Sequence, residues 1–245
     1  MKIKKFSLIA AIIAFIALCA VPGVAENKAP NQIPGEVAYI AYPVTITPDS
    51  NLADWDGIPI SKVDTANPKS PDPAQNQYFE YALAADDKNI YIYMHSVDSK
   101  IITGKHDTNF WNEDSMEFYF NLTGNFAAKA YGPGIFQINV NPGSIGAKFL
   151  TITGVNATSV KVTGKVFKTT DGWAFEAAIP LGKFVPEHGK TIGFQVQANG
   201  ATSGDRNSQI VWSKLDVKNQ SYANPSLFGK AVFFKVGSTD VPAAK

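Results

Sequence analysis

An aromatic side chain and a carboxylate fall on one side of a predicted strand near the middle of the chain. In an extended strand successive side chains point to opposite sides, so Trp111 and Glu117 share a side with Tyr119. The other side is apolar and predicts a core face, with Met116, Phe118 and Phe120. An aromatic face can pack against the C–H face of a sugar ring, and a carboxylate can accept hydrogen bonds from neighbouring hydroxyls. This pattern therefore predicts a surface that holds a sugar.

A carboxamide-rich face recurs on two further predicted strands. Apolar residues alternate there with Gln137, Asn139, Asn141, Gln195, Gln197 and Asn199. Side-chain amides both donate and accept hydrogen bonds, which suits a neutral polyol ligand. A plain solvent-facing sheet is the alternative interpretation of these strands.

Short strands separated by turn residues would position these faces. Strands are predicted at 78–85, 90–97, 115–121, 135–141, 147–153, 160–168, 173–179, 191–199, 209–213 and 230–236. Glycine, proline, asparagine and aspartate predict the turns between them, and no stretch has the period of a long amphipathic helix. We therefore predict an all-β fold, an antiparallel β-sandwich of two sheets with an immunoglobulin-like or jelly-roll-like architecture. A closed barrel is the alternative.

The first 25 residues have the pattern of a secretory signal peptide. A basic start, Lys2 to Lys5, precedes an apolar run over 6–20, and Gly23–Val24–Ala25 offers small residues for cleavage. The apolar run is short for a membrane span, and an uncleaved anchor is the alternative. We therefore expect secretion to the extracellular space, the periplasm or the cell surface, with no membrane association after cleavage.

The remainder of the chain is predicted to form three segments. Residues 26–43 contain three prolines and are predicted to be a flexible lead-in. Residues 44–236 carry the predicted strands and form the sandwich, and residues 237–245 are predicted to be a tail.

Cysteine content and charge exclude several function classes. Cys19 is the only cysteine and lies in the predicted leader, so the mature chain would have no disulfide. Removing the three leader lysines from 22 basic residues leaves 19, against 21 acidic residues, so the mature net charge is about −2. Nucleic acids and anionic membrane surfaces need a basic patch, so we expect neither as a partner.

Several motifs occur in a fixed order along the chain. They are Asp49–Trp55 with its Asp-Trp pair, Tyr81–Ile92, Trp111–Phe120 with Trp-x-x-Asp-x-x-Glu, Trp173–Pro180, Ile192–Gln197 and Leu227–Gly229. Over residues 44–236 this series resembles a family 9 carbohydrate-binding module, within the wider group of DOMON-like β-sandwiches. The resemblance implies a secreted, non-catalytic domain that recognises a sugar ring or chain end of a polysaccharide or oligosaccharide. It also implies association with glycoside hydrolases.

In the resembled family two aromatic rings clamp a sugar, and nearby polar side chains bond its hydroxyls. Trp111 falls on the first aromatic position, and Glu117 falls on the acidic position six residues later. Asn219 and Tyr222 match an asparagine and the second aromatic, although Tyr222 stands where the family has tryptophan. Met116 stands where the family can show a basic contact residue.

Three further candidates for the binding site follow from the residues themselves. Gln137 and Asn139 share the outward parity of the polar face, and Arg206 could reach in from its loop. No cofactor is required, and no catalytic residue is predicted. The resembled family can hold structural calcium, for which the acidic loops at Asp54–Asp56 and Asp86–Asp87 offer oxygen ligands.

Other function classes remain as alternatives. Some DOMON-like sandwiches bind haem b, and Met94–His95, or Met116 with a lysine, could supply its axial ligands, although Met94 has the parity of a core residue. Glu113 and Glu117 superficially resemble the paired carboxylates of a β-sandwich glycosidase. A protein-interaction domain without a small ligand is a third alternative.

Overall fold

The computed structural model describes residues 26–245, and the predicted signal peptide lies outside this range. Eleven strands are present in it: β1 (Val37–Tyr42), β2 (Ser61–Val63), β3 (Gln75–Ala85), β4 (Asn89–Asp98), β5 (Ser115–Asn121), β6 (Ile135–Val140), β7 (Thr163–Lys168), β8 (Gly172–Pro180), β9 (Thr191–Ala201), β10 (Arg206–Val211) and β11 (Gly229–Lys235). Five short 3₁₀ helices lie at Leu52–Trp55, Phe110–Asn112, Pro142–Ser144, Ala157–Ser159 and Pro225–Leu227. None of the helices in these residues is long and apolar enough to span a bilayer.

The strands form one hydrogen-bonded ladder that curls into a sandwich. The order is β6-β5-β9-β11-β1-β3-β4-β8-β7, with β10 beside β9 and β2 beside β3. Neighbours are antiparallel except at β1, which runs parallel to both β11 and β3. Apolar residues from both halves meet in one core. The predicted β-sandwich is therefore confirmed, with β1 linking the two layers.

Alternation along the strands builds the core, as predicted. Met116, Phe118 and Phe120 of β5 are fully buried, and so are Ile192, Phe194 and Val196 of β9. Burying large apolar side chains in this way is the main favourable term in folding. Trp173 and Trp212 also lie in this core, so their predicted structural roles are confirmed.

Trp55 is a structural residue too. Its side chain is buried, and its indole Nε1 donates a 2.6 Å hydrogen bond to Glu176. The ring packs against Tyr93 with a centroid separation of 5.9 Å. The indole therefore packs within a second, smaller apolar cluster.

Two predictions about local structure are wrong. Residues 37–42 lie within the predicted flexible lead-in, yet they form β1 and pair along their whole length with β11. The prolines at 34 and 43 flank this strand and leave its N–H groups free to join the ladder. Residues 147–153, predicted as a strand, form a loop with one isolated bridge between Thr153 and Asn139.

Residues 237–245 contain no strand and lie against the body of the domain. The Pro242 carbonyl accepts a hydrogen bond from the Tyr39 hydroxyl at 3.4 Å. Asp240 pairs with His188 at 3.1 Å.

Candidate functional site

A cleft of about 460 Å³ opens on the polar face of β5, β6, β9 and β10. Its walls are Trp111, Glu117, Gln137, Gln197, Arg206, Gln209, Asn219 and Tyr222. The structure thus brings together six of the seven residues predicted from sequence, from distant parts of the chain. Asn139 is the one that it leaves outside the cleft.

The polar face is covered rather than open to solvent. Gln195, Gln197 and Asn199 are each no more than 3% exposed. The segment 213–228 lies over β9, where the backbone N–H of Ser213 donates to the Gln195 side-chain carbonyl at 3.0 Å. The interpretation as a plain solvent-facing sheet is therefore wrong.

The two aromatic walls are the exposed part of the cleft. Trp111 is 46% exposed and Tyr222 is 55% exposed. Trp111 lies in the 3₁₀ turn Phe110–Asn112, before β5 begins, and not on the strand itself. Strand alternation therefore does not explain why Trp111 lies on the same side as Glu117. The turn presents the indole to the cleft, and Phe110 of the same turn is buried.

Glu113 fixes the loop that leads to Trp111. Its buried carboxylate accepts hydrogen bonds from the backbone N–H groups of Gly104 at 3.0 Å and Lys105 at 2.8 Å, and from Asn141 at 2.9 Å. Burial raises the pKa of Glu113, but these bonds outweigh it and lower the pKa below its ordinary value. Glu113 is therefore engaged in holding the loop.

Glu117 forms the floor of the cleft. The carboxylate is 1% exposed and accepts hydrogen bonds from the Tyr119 hydroxyl and from the side-chain amides of Gln137 and Asn199, the last at 2.6 Å. Two donors reach Oε2 and one reaches Oε1, so a lone pair on Oε1 is free to accept a further hydrogen bond. The carboxylate is thus fixed in orientation while it keeps capacity for a ligand hydroxyl.

Asn199 connects the floor of the cleft to its walls. Its Oδ1 accepts hydrogen bonds from Arg206 Nη1 at 3.0 Å and from Gln209 Nε2 at 3.1 Å. The Arg206 guanidinium in turn lies 5.2 Å from the centre of the Trp111 ring, within the range of a cation–π interaction. The Asn199 side chain therefore links the Glu117 carboxylate to Arg206. Arg206 in turn contacts Trp111, the first aromatic wall.

The segment that carries Asn219 and Tyr222 is anchored by Asp216. The Asp216 carboxylate accepts the backbone N–H groups of Gln220 at 2.6 Å and Ser221 at 2.8 Å. Asn219 adopts the left-handed conformation, which asparagine tolerates, and donates to the Gln209 side-chain carbonyl at 2.7 Å. These contacts fix the second aromatic wall relative to the first.

Sequence reasoning assigned Asn139 to the site and missed three residues. Asn139 lies opposite Glu117 in the β5–β6 ladder but is buried beside Thr153, so its predicted role is wrong. Gln197 and Gln209 line the cleft, and Asn199 bonds Glu117, Arg206 and Gln209 from beneath it. Gln197 and Asn199 lie on the predicted polar face, and that parity is the signal that could have found them.

The acidic loops predicted for calcium are used to shape turns. Asp86 accepts the backbone N–H groups of Lys88 and Asn89, both at 2.8 Å, and Asp54 accepts that of Thr47 at 2.9 Å. Within residues 26–245, no group of three or more His, Cys, Asp or Glu side chains could hold a metal ion. Calcium binding at these loops stays a prediction.

The side chains suggested for haem also have structural positions. Met94 and Met116 are fully buried in the hydrophobic core. His95 lies on the opposite side of β4, where it contacts Glu80 at 3.3 Å and Asp171 at 3.0 Å. The prediction that Met94 points into the core is therefore confirmed.

Comparisons with known proteins bear on the same residues. Residues 53–235 match the family described as "Carbohydrate family 9 binding domain-like". The chain is 31% identical over 154 residues to endo-1,4-beta-xylanase A of Thermotoga neapolitana, and 31% identical over 160 residues to endo-1,4-beta-xylanase C of Paenibacillus barcinonensis. These matches cover 61% and 62% of the chain but only 13% of each enzyme.

Solved structures share the fold. A family 9 carbohydrate-binding module from Caldicellulosiruptor kristjanssonii in complex with cellotriose aligns with a TM-score of 0.66 at 22% identity, over 86% of this chain and 100% of that chain. A family 9 module from the same organism in complex with glucose aligns with a TM-score of 0.65, also at 22% identity, over 84% of this chain and 99% of that chain. The family match spans most of the chain and contains every residue of the cleft. The chain therefore belongs to the carbohydrate family 9 binding domain-like family.

Proposed function

We propose that the cleft binds a sugar ring or chain end between Trp111 and Tyr222 and does not transform it. The observation that carries this proposal is the pairing of two half-exposed aromatic side chains around a buried, hydrogen-bonded carboxylate. Aromatic faces supply apolar contact to the sugar C–H groups, while the polar floor satisfies the hydroxyls. The volume of about 460 Å³ is within the usual range for small-ligand sites, roughly 300–1,000 Å³.

We assign a role in sugar binding to each polar group that lines the cleft. Glu117 accepts from a hydroxyl through its free lone pair, and Arg206 donates through guanidinium N–H groups that Asn199 does not use. Gln137, Gln197, Gln209 and Asn219 supply amides. A floor of mixed donors and acceptors suits a neutral sugar, whose hydroxyls both donate and accept.

The relatives support a sugar or oligosaccharide ligand. Two structural neighbours are complexes with cellotriose and glucose, and the matched enzymes are xylanases. We propose that the domain acts outside the cytoplasm together with glycoside hydrolases.

The carboxylates support binding rather than hydrolysis. A glycosidase needs an acid and a second carboxylate at a fixed separation across the scissile bond. Glu113 is occupied by the Gly104 and Lys105 backbone and Asn141, and it does not line the cleft. Glu117 is therefore the carboxylate of the cleft, and it acts as a hydrogen-bond acceptor.

Calorimetry with a panel of soluble cello- and xylo-oligosaccharides tests the proposal. Trp111→Ala should abolish binding, and retention on a polysaccharide affinity gel, while the circular dichroism spectrum is unchanged. Phe149→Ala is the matched control, because Phe149 is an exposed aromatic residue, 74% accessible, outside the cleft. Unchanged retention of Trp111→Ala would refute the role of the indole.

A further inference from the structure

A groove of about 900 Å³ lies at the opposite end of the domain from the cleft. In the β5–β9 ladder, Glu117 and Gln197 line the cleft, whereas the groove begins beyond the pair Asn121 and Gly193 at the other end of the same strands. Its walls come from the β5–β6 connection, the segment before β7 and the β8–β9 connection. No described residue lines both the groove and the cleft, so the two are separate.

The floor of the groove is apolar and closed. Phe136 and Leu181 are only 2% and 3% exposed and belong to the core, and Leu122 and Val160 pack against that core. Val185 adds an apolar side chain at the rim, where it is 58% exposed. A floor sealed in this way gives an acyl chain no tunnel into the interior, but it can accept one or two apolar side chains from a ligand.

The aromatic rings of the groove have no open face for a sugar. Phe184 stacks on Phe233 with a centroid separation of 5.4 Å, and the Lys190 ammonium lies 4.5 Å from the centre of the Phe184 ring. Phe136 is buried and packs against Phe120 at 5.8 Å. The groove therefore differs from the cleft, whose two aromatic walls are exposed, and it does not repeat the sugar site.

The rim of the groove is positively charged. Lys161, Lys183 and Lys190 line it, and no carboxylate of residues 26–245 does. The salt bridges within these residues leave all three lysines out. Lys190 is half-buried and donates to the Val185 carbonyl at 2.6 Å, which leaves two N–H donors on its ammonium group. A cation that is partly removed from water gains from an anionic partner, so the rim favours a negatively charged ligand.

We propose that this groove docks a peptide segment of a partner protein in which acidic residues flank an apolar pair. The apolar side chains cover Val185 and the floor, and the carboxylates pair with the three ammonium groups of the rim. Complementary charge of this kind sets the register and the selectivity of docking. Because the groove and the cleft lie at opposite ends of β5 and β9, the docked partner leaves the cleft open.

An NMR titration of the isotope-labelled protein tests the proposal and locates the ligand. The probe is an acetylated and amidated peptide with a central leucine–phenylalanine pair and two aspartates on each side. The backbone N–H signals of Gly124, Gly134 and Gly182, which line the groove, should shift with peptide concentration. The signal of Gly204, in the turn between β9 and β10, should not move.

Matched peptides and variants separate the charged contribution from the apolar one. A peptide with asparagine in place of each aspartate should bind at least about tenfold more weakly, and so should the acidic peptide to the double variant Lys161→Glu, Lys183→Glu. Lys69→Glu is the control, because Lys69 is exposed in the β2–β3 loop outside the groove. Val185→Ser should weaken binding several-fold, since it removes apolar contact at the rim.

Four outcomes would overturn the proposal. The groove signals do not respond to the acidic peptide, or the double lysine variant binds it as tightly as wild type does. The signals respond to decanoate or to a galacturonate oligomer but not to the peptide, which would assign the groove to a lipid or an acidic polysaccharide. The signals shift with protein concentration alone, which would place a second copy of this chain in the groove.

The test does not depend on sugar binding. A cello-oligosaccharide should leave the groove signals in place, because the cleft lies at the other end of the strands. Peptide docking without sugar binding would overturn only the proposed function, and sugar binding without peptide docking would overturn only the groove.

Discussion

The side-chain amide of Asn199 donates a 2.6 Å hydrogen bond to the carboxylate of Glu117. Both groups are almost fully buried, so the loss of either one leaves the other with one hydrogen bond fewer in a buried environment. The side-chain carbonyl oxygen of Asn199 also accepts hydrogen bonds from Arg206 and Gln209. The polar floor of the cleft is therefore a connected network, and its members should not respond independently to mutation.

Asn199→Ala should weaken both the fold and the site. It removes a donor to Glu117 and an acceptor for two cleft residues, so we expect a loss of about 1–3 kcal/mol in unfolding free energy. We also expect at least about tenfold weaker sugar binding, which corresponds to about 1.4 kcal/mol. Chemical denaturation and calorimetry measure the two effects. Asn207→Ala is the control, since its amide bonds the Thr202 hydroxyl outside the cleft.

Tyr222→Trp should strengthen sugar binding. A larger ring offers more apolar contact at the second wall, and the position is already 55% exposed, so the fold can accept it. Tyr222→Ala should weaken binding by roughly 1 kcal/mol, about fivefold, without a change in unfolding midpoint. Titration of both variants with one oligosaccharide checks this order, and equal affinities for the two would contradict a stacking role.

We expect the stability that Glu113 gives to the Trp111 loop to be lost at acidic pH. Its pKa is lowered below the ordinary value of 4.5 because its hydrogen bonds outweigh its burial. A lowered pKa stabilises the fold above the ordinary pKa, and this stability is lost as the pH falls through the folded-state pKa. Glu113→Gln should therefore be less stable than wild type near neutral pH, and the difference should shrink as the pH falls below 4.5. Denaturation curves across this range measure it, and a pH-independent difference would argue against the assignment.

Trp55→Phe should destabilise the protein without affecting the cleft. It removes the indole donor to the buried Glu176 carboxylate, which keeps only the Ser50 backbone N–H. We expect a cost of about 1–3 kcal/mol and unchanged sugar affinity. Trp111→Ala, by contrast, should lose sugar binding and keep its stability. Weaker sugar binding by a folded Trp55→Phe protein would contradict a purely structural role for Trp55.

Alternation in the sequence was sufficient to predict the buried strands. The predicted strand at 115–121 coincides with β5, because a core on one face and a polar floor on the other impose a period of two. The loop at 147–153 also contains apolar residues, yet Phe149 is exposed. Local pattern cannot distinguish such a loop from a strand, since pairing partners decide the outcome.

The connections within the cleft could not be predicted in the same way. Gln209 meets Asn199 because β10 pairs with β9 in that register, and register is a property of the assembled ladder. Trp111 was assigned to the cleft by strand parity, whereas a 3₁₀ turn places it there.

The parallel pairing of Val37–Tyr42 with Gly229–Lys235 has a consequence for biogenesis. β1 is the first of the described strands to be synthesised and β11 is the last, so this pairing cannot form until residues 229–235 have been made. Such non-local pairing makes folding slow and leaves unprotected strand edges in the nascent chain. Because β11 lies between β9 and β1, deleting it would interrupt the ladder at an interior position, whereas deleting β6 or β7 would remove only an edge strand.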